Sequence, residues 1–312
     1  MNKFPVWIDC DPGVDDAAAI ILAHDLKELN ILGISTVAGN VPLHMTTANA
    51  LKLGDLVGKA YPVYAGAGRP LIRPYCDGHD FHGAEGFGTA SLPKSSREPE
   101  AEKAWDGLYA AAKANPGTLE LITMGPLTNI AIALETYPDL PKLVKRILMM
   151  GGSVTRGNRT PCAEYNIYAD PDAAQVVFRS GIPIVMCGLE VTEQAYILPE
   201  EWAMLEDSIS FKARFFHQAS KFILERNLET GHPGFCIHDA VPVYYLAHPE
   251  MFEGEEAGVF VETQSELTLG KTVTDLYSDR QFDVKNAFVP LKVDREAFLF
   301  ALLHALEKED DL

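Results

Sequence analysis

The stretch Phe4-Pro5-Val6-Trp7-Ile8-Asp9-Cys10-Asp11-Pro12-Gly13-Val14-Asp15-Asp16 decides the fold. Its apolar run, Phe4–Ile8, reads as a strand that ends on carboxylates, and helical spacing follows over Asp15–His24. Asp11 stands where the strand ends and suits a helix cap. Pro12 suits a first helical position, because its φ is preset and it has no N–H to satisfy. The alternation then repeats. Strand-like runs fall at Ile31–Val37, Pro62–Tyr64, Leu119–Thr123, Arg146–Met150 and Ile182–Cys187, with helix-like stretches at Thr46–Leu56, Leu127–Glu135 and Pro171–Ser180. Apolar strands buried on both faces and separated by amphipathic helices imply an α/β fold. Its mostly parallel central sheet carries helices on both faces, in a Rossmann-like arrangement with right-handed crossovers.

Two segments break the pattern. Arg73–Arg97, rich in Gly, Pro, His and Ser, reads as a long loop. Phe211–Asn227 carries apolar residues at helical spacing with Lys and Arg between them, and core packing is its simplest use. Val289–Val293 and Glu296–Leu306 read as a last strand and a closing helix, with Glu307–Asp311 as a solvated tail. No Pro/Ser-rich linker divides the chain, so a single domain over residues 1–312 is expected.

The chain of 312 residues is 47% hydrophobic and 22% charged, ordinary values for a globular protein with a sizeable core. A net charge of −18 argues against nucleic acid or an anionic membrane as partner, and is compatible with a bound cation. The five cysteines are scattered, with no Cys-x-x-Cys pair, which fits a reducing compartment better than a disulfide framework or a zinc site. Neither a secretory signal nor a stretch of roughly 18 apolar residues is read, so a cytoplasmic enzyme is expected.

A single aspartate after a strand is ordinarily a cap or a macrodipole partner. Four in eight residues, Asp9, Asp11, Asp15 and Asp16, are harder to place that way. Anions crowded at the carboxyl end of a parallel strand repel one another unless a cation gathers them, and open α/β sheets bind ligands at that end. Carboxylates without His or Cys beside them suit Ca²⁺ or Mg²⁺ rather than zinc, and flexible oxygen-rich coordination favours Ca²⁺. The spacing does not name a reaction. A strand ending in Asp-x-Asp also resembles the haloacid dehalogenase-type phosphatases. Those continue with Gly and Thr or Val after the second Asp, where this chain has Pro12-Gly13-Val14-Asp15-Asp16.

Further stretches stand where a βα architecture puts functional loops. Thr36–Asn40 and Met124–Asn129 end strands with turn residues. Met149-Met150-Gly151-Gly152-Ser153 leads into a polar loop with Gly157-Asn158 and Ala163-Glu164-Tyr165-Asn166-Ile167, before Asp170-Pro171 caps a helix. Glu164 and Asn166, two apart, share a side if the chain is extended there. His238-Asp239 precedes an apolar helix, and His82 sits in the long loop; either His alone is unremarkable. There is no Gly-x-Ser-x-Gly elbow, no phosphate loop and no Gly-x-Gly-x-x-Gly, which disfavours serine hydrolase, nucleoside triphosphate and dinucleotide chemistry.

Taken in order, Asp9–Asp16, Gly125–Asn129, Met150-Gly151-Gly152, Glu164–Asn166 with Asp170-Pro171, and His238-Asp239 resemble the inosine-uridine-preferring nucleoside hydrolases over nearly the whole chain. The resemblance implies hydrolysis of the N-glycosidic bond of a ribonucleoside to ribose and free base. It implies Ca²⁺ held by Asp11, Asp16, Asp239 and the main-chain carbonyl of Met124, where the family often has Thr. A water on that ion would lose its proton to Asp11. Asp15, Asn40, Asn158, Glu164 and Asn166 would hold the ribose hydroxyls together with Asp239, and Met150 would line the sugar. His238, with His82 as a second imidazole, would assist the departing base. Tyr165 departs from the family, where Phe is common. A homodimer or homotetramer is implied as well. The alternatives are the phosphatase, using Asp9 or Asp11 as nucleophile, and a nucleoside-binding protein without turnover.

Overall fold

The computed structural model describes residues 3–76, 78–277 and 281–308. Its centre is a nine-stranded sheet. In chain order the strands are β1 (Phe4–Cys10), β2 (Leu29–Thr36), β3 (Val63–Ala65), β4 (Leu119–Thr123), β5 (Val144–Met150) and β6 (Ile184–Cys187). After the small pair β7 (Tyr196–Ile197) and β8 (Phe235–Cys236) come β9 (Phe252–Val261), β10 (Thr272–Asp275) and β11 (Ala287–Val293). Across the sheet the order is β10-β9-β11-β6-β5-β4-β1-β2-β3. Strands β1 to β6 run parallel and β11 joins them in parallel beside β6. β9 and β10 close the edge antiparallel. The expected α/β architecture is therefore present, with an antiparallel extension.

Strand β1 shows how the sequence builds the two faces. Val6, Ile8 and Cys10 enter one core with the helices Val14–Asp25, Phe211–Glu229, Ala240–Ala247 and Arg295–Glu307. Trp7 enters the other, with Leu108 and Ile130 of the helices Ala104–Ala114 and Thr128–Thr136. This is the period-two alternation of a strand covered on both sides. The first helix is not amphipathic: every residue from Val14 to Ala23 is buried, because later helices pack around it.

The topology also fixes where a ligand can bind. From β1 the chain moves outward through β2 and β3, then returns to lay β4 on the other flank of β1. The strand order reverses at β1/β4, and the carboxyl ends of those strands open into a crevice. Asp11 follows β1 there, and Met124-Gly125 follows β4.

Three local readings change. The N-cap of the first helix is Gly13, not Asp11, and Pro12 lies before the helix. Asp11 is thereby released from capping. Glu164 and Asn166 are not in extended chain: Glu164 caps the short helix Tyr165–Ala169, accepting from the amides of Asn166 and Ile167. The long loop carries the short helix His79–His82. Asp170 does cap the helix at Pro171, accepting from Ala173. The end of the tail, residues 309–312, lies outside the described residues.

Candidate active site

The carboxylates after β1 are buried and differ in their partners. Asp9, on the face opposite Cys10, accepts at Oδ2 from the Ser35 hydroxyl and, at 2.7 Å, from Asn129 Nδ2. Burial raises its pKa to about 7 against these two hydrogen bonds. Asp11 accepts at Oδ2 from the Asn40 amide at 2.7 Å. Asp16 accepts at Oδ2 from the Gly13 amide at 2.8 Å and from Asn40 Nδ2 at 3.3 Å. Oxygens Oδ1 of Asp11, Asp15 and Asp16 are buried with no hydrogen-bond partner. Such groups are costly without a partner or a cation.

Asp15, Asp16 and Asp239 each offer an oxygen, all within 4.8 Å of one another. Asp239 occupies the N-cap position of the helix Ala240–Ala247, yet its side chain does not cap it. Burial, then the charges of Asp15 and Asp16, drive its pKa well up. Asp11 is raised by burial and by Asp16, and Asp16 rises to about 7 through burial and Asp15. Carboxyls that cannot all ionise in isolation are what a hard divalent cation stabilises. The residues present therefore fit a metal ion.

Two glycines make room for this cluster. A Cβ at Gly39 would lie 2.0 Å from Asp11 Oδ2, and one at Gly125 would lie 2.6 Å from Asp11 Oδ1. The Asp11 carboxylate is thus held between two turns that tolerate no side chain. The sequence marks both positions only as turn glycines.

Above the cluster opens a cavity of 370 Å³. It is lined by ten of the residues expected at the site: Asp15, Asn40, His82, Met124, Met150, Asn158, Glu164, Asn166, His238 and Asp239. Asp11 and Asp16 do not line it; they lie beneath, joined to it through Asn40. Asn166 Nδ2 donates to the carbonyls of Met124 at 3.0 Å and Met150 at 3.2 Å, which leaves its Oδ1 to face a ligand. Glu164 accepts from the amides of Asn166, Gly152 and Ile167, and burial still lifts its pKa to about 7. Asn158 Oδ1 accepts from the Tyr165 amide at 2.9 Å.

His82 reaches the N-terminus of the first helix, its Nδ1 3.2 Å from the Val14 amide and 3.9 Å from Asp15 Oδ1. His238 Nδ1 lies 2.8 Å from Thr192 Oγ1. Burial lowers the pKa of both imidazoles. The far wall holds Ile223, Arg226, Asn227, Thr230 and His232, so the amphipathic segment does more than fill a core. Arg226 stacks its guanidinium 4.1 Å above the Phe81 ring. Arg156, paired with Glu193 at 2.8 Å, and Tyr165, whose hydroxyl donates to the Cys76 carbonyl, also line the cavity. The motif reading did not single out Arg156, Glu193, Arg226 or Thr192, whose residue types carry no spacing signal.

The inosine-uridine preferring nucleoside hydrolase model matches residues 6–300. The chain belongs to the inosine-uridine preferring nucleoside hydrolase family. It is a ribonucleoside hydrolase, and relatives agree along its length. The pyrimidine-specific ribonucleoside hydrolase RihA of Shewanella sp. (strain MR-4) is 39% identical over 97% of this chain and 96% of its own. An uncharacterized protein of Schizosaccharomyces pombe is 40% identical over 96% and 98%. Among solved structures, the plant nucleoside hydrolase PpNRh1 superposes with a TM-score of 0.91 at 30% identity, covering 98% of this chain and all (100%) of the other. The purine-preferring ribonucleoside hydrolase from Gardnerella vaginalis gives 0.90 at 30%, covering 97% and 98%.

For a ribonucleoside hydrolase the cavity divides sensibly. Oxygen-bearing side chains of Asp15, Asn166 and Glu164 line one part of it, and the two imidazoles with Ile223, Arg226 and Asn227 of the Phe211–Glu229 helix line another. The phosphatase alternative is not favoured, because the family model and these relatives along the chain are nucleoside hydrolases. No helix among the described residues is long and apolar enough to cross a membrane.

Proposed function

We propose that the enzyme hydrolyses ribonucleosides with Ca²⁺ at the carboxylate floor, and that pyrimidine ribonucleosides are its preferred substrates. The observation that carries the metal site is the set of buried, partnerless Oδ1 atoms of Asp11 and Asp16 beneath the cavity and of Asp15 at its lining. Asp11, Asp16, Asp239 and the Met124 carbonyl would hold the ion, whose charge supplies acidity to a water and an anchor for the ribose diol. An all-oxygen donor set supports a hard cation. The pyrimidine preference is supported by RihA being the better-matched characterised relative, at 39% against 30% for the purine-preferring structure.

The protein's own groups then have distinct tasks. Asp11 Oδ2 is tied to Asn40, so Oδ1 is the oxygen that takes the proton of the attacking water. Asp15, Asn40, Asn158, Glu164 and Asn166 hold the ribose hydroxyls, with Asp239 beside them and Met150 against the sugar. The negative and partly negative oxygens of Asp15, Glu164 and Asn166 favour the oxocarbenium-like transition state. His238 assists the departing base, with His82 as the second imidazole. A nucleoside-binding protein without turnover is disfavoured because Asp11, Asp16 and His238-Asp239 are all in place.

The test is a panel of uridine, cytidine, inosine and adenosine, reading free base and reducing sugar with and without chelator. Release from uridine and cytidine above the purines, abolished by chelation and restored by Ca²⁺, is expected. No release from any nucleoside with the metal bound would overturn the reading. The whole chain acts as one catalytic unit, assembled in the cytoplasm as a homodimer or homotetramer. Light scattering and limited proteolysis check the assembly and the unit, and cell fractionation checks the compartment.

A further inference from the structure

Two imidazoles border the cavity, and different partners set where their protons sit. His82 Nδ1 faces the Val14 amide at 3.2 Å. A main-chain N–H can only donate, so Nδ1 accepts and the proton sits on Nε2. His238 Nδ1 faces the Thr192 hydroxyl at 2.8 Å. A hydroxyl can do either, so its other options decide the matter.

Thr192 is fully buried, the last residue of the helix Leu189–Thr192. A helical threonine ordinarily turns its hydroxyl onto the carbonyl one turn back. That carbonyl, Gly188, instead accepts from the amides of Val191 and Thr192. Among the described residues, His238 Nδ1 is the hydroxyl's one hydrogen-bond partner. A buried O–H pointing at nothing is costly, so it points at Nδ1. The proton of His238 therefore also sits on Nε2, the nitrogen turned away from Thr192, and His238 lines the cavity.

We propose that Thr192 is a positioning residue that fixes the ring and the Nε2–H tautomer of His238, so that this imidazole offers a hydrogen-bond donor to the departing base. No proton changes hands in this role; the donor stabilises negative charge as it gathers on the base. The inference rests on His238 assisting the leaving group, as proposed above.

Thr192→Val keeps the shape and removes the donor, and Thr192→Ser keeps the donor. With uridine, T192V is expected to lose about tenfold or more in kcat, within the range of a lost catalytic donor, while KM moves less than about twofold. T192S restores most of the loss. With p-nitrophenyl riboside, whose leaving anion needs no such help, T192V loses far less than with uridine. In a His238→Ala background T192V adds no further loss.

T192V matching the wild type while His238→Ala is impaired overturns the role of Thr192. Equal losses in T192V and T192S, or equal losses on both substrates, show a packing role and also overturn it. An unimpaired His238→Ala removes the assignment of His238 itself, a separate result from absence of nucleoside hydrolysis in the wild type. Thermal melting confirms folding of each variant, with Thr192→Ala as the second donor-free variant.

Discussion

Asp9 and Asp11 are two residues apart and chemically identical, yet they have different environments. Asp9 spends Oδ2 on Ser35 and Asn129, and Trp7 Nε1 in turn donates to Ser35 at 2.8 Å, so it ties β1 to β2 and to the helix Thr128–Thr136. Each aspartate keeps a buried Oδ1 without a hydrogen-bond partner, but the Asp11 carboxylate lies between the turns at Gly39 and Gly125 and is tied through Asn40 to the cavity. Asp9→Asn retains an acceptor for both donors and is expected to keep kcat within about threefold. Asp11→Asn is expected to lose about a hundredfold or more in kcat while still melting as a folded protein, as for a missing general base that is also a metal ligand. Steady-state kinetics with uridine and a thermal melt check both. Glu164 adds a pH dependence. Its carboxylate form favours the oxocarbenium-like state, and burial holds its pKa near 7. Turnover should therefore fall as pH drops below about 7, and Glu164→Gln should lower kcat and flatten that acid limb. A limb unchanged in the variant would assign it to another group.

Elements bring these residues together through close approaches that only glycine permits. A Cβ at Gly13 would lie 2.4 Å from His82 Nδ1 and 2.9 Å from Asn40 Nδ2. The turn from β1 into the first helix thereby receives the His79–His82 helix of the long loop. Asn49 secures the same docking, its Nδ2 donating to the carbonyls of Pro12 and Glu85. Gly13→Ala is expected to push His82 out and to lose about tenfold or more in kcat/KM, with the fold retained. Activity equal to the wild type would show that His82 need not reach Val14. The element readings succeeded where apolar periodicity was strong, as in β4 and the Phe211–Glu229 helix. They missed β9, Phe252–Val261, because three glutamates and two glycines interrupt its apolar residues. A strand near the sheet's antiparallel edge can carry such residues on its solvent side.

At the scale of the whole molecule, the fold gathers and buries carboxyl groups from distant parts of the chain. Burial, foremost, raises Asp9, Asp16 and Glu164 to about 7. A carboxyl whose folded pKa lies above its unfolded value stabilises the fold fully below the unfolded value. That contribution is lost as pH rises through the folded one. Without metal, stability from these groups should therefore decline from about pH 4 to about pH 7. Of these, Asp16 is a proposed Ca²⁺ ligand and would bind the ion in its ionised form, so stabilisation by Ca²⁺ should grow over the same window. Melting curves at pH 5 and pH 8, with chelator and with Ca²⁺, check this: the Ca²⁺-induced rise in Tm should be larger at pH 8. An equal rise at both would place the ion away from Asp16.

The strand-to-helix alternation, the carboxylates at a strand's end and the ordered motifs up to His238-Asp239 were legible along the chain, because apolar periodicity and turn chemistry are local properties. They sufficed for the α/β class, and the family resemblance of the ordered motifs implied ten residues now found around one cavity. Other facts depend on contacts far apart in sequence. Asp11 lies beneath the cavity because Gly39 and Gly125, from two other strands' ends, close over it. Glu164 and Asn166 meet the site through a helix turn and not through extended chain. His82 is set by an amide 68 residues away, and His238 by a hydroxyl 46 residues away. Hydrogen-bond direction, burial and the spacing of like charges arise only when strands assemble side by side. No window of sequence contains both partners.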